Sequence, residues 1–144
     1  MAFTDDSLGF NLNRTNARNK NIWTQRLKQY GVTPEQCAVM FCLWEKDGVT
    51  PKGLSFEVSK DAPTTVRILE KLIKKGLVRR ESDPADKRSY RIYVTPSGNA
   101  LREKIRATLK DQMEIILKGI DNKELQLLMK LLKQMYANLD SEAL

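Results

Sequence analysis

The sequence predicts a mainly α-helical domain of about six helices that carries one small β-hairpin. Three observations point there. Apolar residues recur at helical spacing over most of the chain. The runs open on capping signals or close on glycine. Only the stretch around 77–95 breaks the period, alternating as two short strands around a charged loop. With 144 residues, 41% hydrophobic and 30% charged, the chain can bury one core and is too apolar for disorder.

The first helix is expected over 7–30, long and rather polar, with Leu8, Leu12, Ile22, Trp23, Leu27 and Tyr30 on or near one stripe and Gly31 as its end. In "VTPEQCAVMFCLW", Thr33 is a good N-cap, Pro34 suits the first helical position and Gln36 completes a capping box. Cys37, Val39, Met40, Phe41, Leu43 and Trp44 make that helix apolar on most sides, hence central and buried, with Gly48 closing it. "TPKGLSFEVSKD" opens another Thr-Pro helix, short, roughly from Pro51 to Val58. After a break at Ser59–Asp61, "APTTVRILEKLIKKG" has Asp61 as its cap and Val66, Leu69, Leu72 and Ile73 as its inward stripe. Thr64, Arg67, Lys71 and Lys74 share the opposite side at 3-4-3 spacing.

After the hairpin, a helix of about 24 residues should run to Gly119, with Leu101, Ile105, Leu109, Met113, Ile116 and Ile120 on its stripe. "DNKE" is a second capping box and starts the last helix, whose Leu125, Leu128, Leu132, Met135 and Leu139 hold a 3-4-3-4 seam. That seam can fold back on the preceding helix. Leu127, Leu131 and Tyr136 nevertheless widen the apolar surface beyond one antiparallel neighbour, which favours a subunit interface.

Composition narrows the chemistry. The chain has no histidine, which removes most zinc sites, the His-dependent catalytic systems and the commonest general base. No glycine-rich phosphate loop or recognisable carboxylate pair stands out, so no enzyme, catalytic residue, cofactor or metal is expected. Cys37 and Cys42 are too few for a disulfide framework, and their spacing of five puts them on different sides of a helix. With no apolar run near the roughly 20 residues that span a bilayer and no signal-peptide pattern, a cytoplasmic location is expected.

The net charge of +7 is unevenly placed: residues 60–91 hold ten basic against five acidic side chains, whereas residues 31–59 are net acidic. A concentrated basic segment suggests a polyanion, although charge alone fits a solvated lysine-rich face equally well. The order of elements weighs further. Two short helices followed by a capped helix with a basic outer face resemble a helix-turn-helix, whose second helix faces base edges in the major groove. Thr64 and Thr65 are short enough to approach bases, Arg67 can reach guanine bidentately, and Lys71 and Lys74 can neutralise phosphate. The hairpin that follows is then a wing. Its loop, within "SDPADKRSYRIYVTPSG", can carry Arg88 into a minor groove, with Asp86 orienting the guanidinium. The plainer alternative is that both residues merely solubilise a loop.

The same order of elements, with "VTPEQCAVMFCL", "APTTVRILEKLIKKGLVRRE" and "DPADKRSYRIYVTPSG", resembles the MarR family of winged-helix regulators over nearly the whole chain. The most specific part is Asp-x-Arg followed by a strand, Thr, two residues and Gly, here Asp86, Arg88, Thr95 and Gly98. The resemblance implies a homodimer built from residues 1–30 and 100–144 around a DNA-binding lobe at 31–99. It also implies a pseudo-palindromic double-stranded DNA operator, most often repression, and commonly release by a small anionic or phenolic ligand bound between dimer and DNA-binding lobes. Gly53 departs from the pattern, where an acidic residue is usual, so the third helix is expected to be weakly formed.

Trp23, Met40 and Trp44 are candidates for lining an effector pocket, although such residues at helical spacing are more often plain core. Arg14 and Arg18 are read as solvated surface. Cys37 or Cys42 as an oxidation sensor competes with the reading of inert buried thiols. Two alternatives to a DNA-binding regulator stay open: a winged-helix module that binds protein partners, and a thiol-based redox-sensing regulator.

Overall fold

The computed structural model describes residues 6–142. Of the expected dimerisation segments, residues 1–5 and 143–144 lie outside the described residues. Among the described residues are six α-helices and one two-stranded hairpin, in the order α1 (Leu8–Leu27), α2 (Pro34–Glu45), α3 (Pro51–Glu57), α4 (Ala62–Lys74), β1 (Val78–Ser82), β2 (Tyr90–Val94), α5 (Pro96–Ile116) and α6 (Asn122–Ser141). They fall into two compact units, one reaching Thr108 and one starting at Leu109, with the boundary inside α5. No helix among them is long and apolar enough to cross a membrane.

The helix starts follow their caps. Ser7 accepts from the Phe10 amide, Thr50 from Gly53 and Asp61 from Thr64. Thr33 with Gln36 and Asp121 with Glu124 form complete capping boxes. Each such cap contributes about 1 kcal/mol. The helix ends are tighter than the apolar spacing suggests. The last turn of the expected first helix is a 3₁₀ turn, Lys28–Tyr30, closed by Gly31 at φ 68°. Likewise α5 stops at Ile116, and bonds such as Ile120 N–H to Leu117 O carry the chain through a turn to Gly119.

Every buried hydrophobic residue described lies between Leu27 and Ile105, and the fully buried Met40, Leu43, Leu54, Leu69, Leu72 and Ile92 form its centre. Burying each such side chain stabilises by about 1.5–3 kcal/mol. Helix α3 is formed despite Gly53, because Thr50 caps it and Leu54 is pinned in that core. In α4 the inward stripe is Thr65, Ile68, Leu69 and Leu72, about one residue out of phase with the expected one; Val66 and Ile73 are only half-buried at its edges.

The unit from Leu109 has a different character. No residue of α6 is buried. Leu127, Leu128, Met129, Leu131, Tyr136 and Leu139 are all exposed. This amount of apolar surface on one helix marks an interaction face rather than scattered surface residues.

Candidate nucleic-acid interface

Helix α4 is mounted at both ends. At its start, the Asp61 carboxylate accepts the Thr64 amide at 2.7 Å. That backbone hydrogen bond, helped by the Thr64 hydroxyl, holds the carboxyl of Asp61 below its ordinary range. The chain enters from α3 through Ser59, which takes a left-handed φ of 53° in the turn. At its end, Gly76 adopts φ 74° and the Leu77 amide reaches back to Leu72 O, the pattern of a Schellman cap.

Arg67, Lys71 and Lys74 are exposed and Thr64 half-exposed, and the Arg67 guanidinium donates to the Thr64 hydroxyl at 3.1 Å. Thr65 departs from this set. Its side chain is fully buried and its hydroxyl donates to Asp61 O at 3.0 Å, so it faces the core and not the outer face. The signal was present in the sequence: 65, 69 and 72 are spaced for one helix face. A threonine whose hydroxyl bonds within its own helix packs much as valine does.

The wing pairs Val78 with Val94, Arg80 with Ile92 and Ser82 with Tyr90 in antiparallel register. Its tip is folded by its own aspartates. Asp83 accepts the Ala85 amide at 2.9 Å, and Asp86 accepts the Arg88 amide at 3.0 Å and the Arg88 Nε at 3.4 Å. The Arg88 side chain remains 93% exposed. Asp86 therefore shapes the backbone as well as steering the guanidinium, and the ion pair between them is held loosely.

Register brings in arginines that composition alone does not single out. The guanidinium of Arg79 lies 4.7 Å from the ring centre of Tyr93, its cross-strand partner, and also meets Glu81 at 2.8 Å. Arg80 lies 5.1 Å from the ring centre of the diagonal Tyr90. Such stacking holds a long side chain in place while leaving its charge at the surface.

The wing base is tied down on two sides. Gly48 N–H bonds to Ile92 O, Ile92 N–H to Val49 O, Val94 N–H to the Asp47 carboxylate and Arg91 to Gly48 O. On the other side, the Thr95 hydroxyl donates to Gly76 O at 2.6 Å and accepts the Gly98 amide at 3.1 Å, while Thr95 N–H bonds to Leu77 O. A Cβ on Gly98 would lie 2.2 Å from Leu77 O. Thr95 and Gly98 thus form the joint between α4, the wing and α5.

The effector candidates are placed unequally. Met40 is sealed in the core, and Trp23 is half-buried against it. Trp44 is 9% exposed and meets Phe41 edge-on at 5.5 Å, and its buried indole Nε1 has no hydrogen-bond acceptor among the described residues. Burial pushes the Cys37 thiol up to about 12. The half-buried Cys42 is raised too, by burial first and then by Glu57 and Glu45.

A model of the MarR family matches residues 32–90, from the start of α2 through the wing loop. The transcriptional regulator HosA of Escherichia coli O111:H- is 33% identical over 108 residues, covering 72% of this chain and 77% of that protein. A crystal structure of mutant MarR from E. coli complexed with operator DNA is 26% identical, with a TM-score of 0.85 over 94% of this chain and 98% of that one. The MarR protein from Peptoclostridium difficile is 27% identical, with a TM-score of 0.87 over 99% of this chain and 94% of that one. The order of helices and hairpin and these sequence matches agree: the chain belongs to the MarR family.

Proposed function

We propose that the protein is a homodimeric transcriptional regulator that binds a pseudo-palindromic DNA site, most simply as a repressor. Thr64 and Arg67 read bases in the major groove, Lys71 and Lys74 neutralise phosphate, and Arg88 reads the minor groove. The observation that carries this reading is the pairing of a capped, exposed basic helix with a wing whose base is jointed to that helix's end and whose tip presents a nearly free arginine. The E. coli MarR complex with operator DNA supports it by similarity. Residues 1–30 and 100–144 are the dimerisation region in this reading. The uncovered apolar face of α6 gives a second copy something to bury.

Regulation by a small anionic or phenolic ligand fits Trp44 best among the three effector candidates. The buried indole N–H has no acceptor among the described residues, so a ligand oxygen that opened the packing around it would satisfy a donor. The thiols support redox sensing poorly, since burial keeps both protonated and the thiolate is the reactive form. The deciding experiment selects bound duplexes from a random pool and measures their affinity across salt. Recovery of a two-fold-related site with salt-dependent binding is expected. Failure to enrich any duplex, with the protein folded and dimeric, would favour a module that binds proteins instead.

A further inference from the structure

We propose that Lys75 is a positioning residue of DNA recognition: its ammonium clamps the end of α4 to the junction of α1 with α2, and so sets how the recognition helix stands on its own subunit. By sequence Lys75 belongs to the basic run with Lys71 and Lys74. Its contacts separate it from them. The Nζ donates to Gly31 O at 2.6 Å and to Gln36 Oε1 at 2.7 Å. Two of its three N–H groups are therefore spent on the protein. It also lies about 100° round the helix from Lys74, away from the centre of the outer face.

Both acceptors are fixed points. Gly31 is the left-handed residue that closes the 3₁₀ turn after α1. Gln36 is 4% exposed, and the same Oε1 accepts the Thr33 amide in the capping box of α2. The clamp thus ties the mobile end of a lysine to one backbone carbonyl and one capping-box side chain, neither with much freedom of its own. It acts one residue before Gly76, whose carbonyl holds the Thr95 hydroxyl. The end of α4 is pinned towards α1 and α2 by Lys75, and towards the wing and α5 by Thr95.

The lever is long enough to matter. Thr64 stands about 16 Å along the helix from Lys75, so a swing of about 5° at the clamp moves the reading end by about 1.4 Å. A dimer reads two half-sites at a fixed separation, and errors in mounting each helix add across the pair. Losing the clamp should therefore blunt the preference for half-site spacing, not the number of phosphates neutralised. The inference rests on the DNA-binding reading above.

The test uses full-length protein and the duplex that the wild type selects from a random pool, with a series carrying one base pair inserted or removed between half-sites. For the wild type the altered spacings should weaken binding about tenfold or more. In Lys75→Met the difference should shrink to about threefold, with the slope of affinity against salt unchanged. Lys74→Met should do the reverse, lowering the slope by about two, one for each half-site, and keeping the spacing preference. Gln36→Glu, which turns one arm of the clamp from a charge-assisted hydrogen bond into an ion pair, should sharpen the preference and serves if Lys75→Met does not fold. Equal losses at every spacing together with a lower salt slope would make Lys75 a phosphate anchor and overturn the proposal. So would a lowered melting temperature with spacing preference intact. A wild type that selects no duplex would remove the DNA-binding reading itself, and this one with it.

Discussion

Gly98→Ala should weaken the protein far more than its place in a helix suggests. In a helix interior, glycine to alanine normally stabilises by about 0.5–1 kcal/mol. At Gly98 the new Cβ would stand 2.2 Å from Leu77 O and 2.7 Å from Val94 Cγ1. A carbon rests no closer than about 3.3 Å to a carbonyl oxygen, so α5 and the end of α4 must separate by about 1 Å. The same carbonyl accepts Thr95 N–H at 3.1 Å, and the neighbouring Thr95 hydroxyl bond to Gly76 O is already short at 2.6 Å. Overpacking costs about 1–3 kcal/mol and a weakened hydrogen bond about 0.5–1.5, against a helix gain near 1. The net expectation is a loss of about 1–3 kcal/mol. Gly53→Ala is the matched control, because its Cβ would meet only the Thr50 hydroxyl at 3.4 Å, and it should stabilise α3. Urea unfolding of both variants, with binding measured on the folded protein, separates the two effects. A neutral or stabilising Gly98→Ala would refute the joint as drawn.

Arg67→Ala should cost about 1–3 kcal/mol of specific affinity and relax base preference at one position per half-site, read by titrating operator variants. Arg88→Ala should cost most on operators with A·T-rich flanks and little on G·C-rich ones, and Arg88→Lys should recover only part; equal affinity on every flank would leave the tip a solvated turn. Both thiols should resist a neutral alkylating agent in the native state near pH 8, Cys37 more than Cys42, and peroxide should leave DNA binding unchanged. Because folding holds Cys37 protonated, its stabilisation is whole below the ordinary thiol value of 9.0 and is lost as pH rises towards about 12, which alkaline unfolding curves would register.

The sequence was most informative where one residue type does one local job. Thr33 with Gln36, Thr50, Asp61 and Asp121 with Glu124 cap the helices they were expected to cap. Gly31, Gly48, Gly76 and Gly119 all take positive φ at the stops they marked. It was least informative where register or a distant acceptor decides. Thr65 reads as polar by residue type although its spacing with Leu69 and Leu72 places it on the inner face, and its bond to Asp61 O lets the hydroxyl be buried there. The stacking of Arg79 on Tyr93 requires the register of β1 against β2. Lys75 looks like its neighbours until Gly31 and Gln36, 44 and 39 residues away in sequence, are brought to it.

The four motif residues of the wing divide into two mechanical classes. Thr95 and Gly98 sit at a stiff joint, where one short hydrogen bond and a forbidden Cβ position leave no room. Asp86 and Arg88 sit at a tip whose side-chain ion pair is long and exposed, the kind that contributes about 0–1 kcal/mol. Arg88 can therefore leave Asp86 for a groove at little cost, while the backbone bond from Asp86 keeps the tip in shape. In the proposed complex, a stiff base with a cheaply released arginine would make different demands on the DNA at its two ends. Damage at the base should be felt on every sequence, because it displaces the whole wing and α4 with it. Damage at the tip should be felt only where a narrow groove rewards a guanidinium, so sequence dependence, more than affinity lost, identifies which end a substitution has touched.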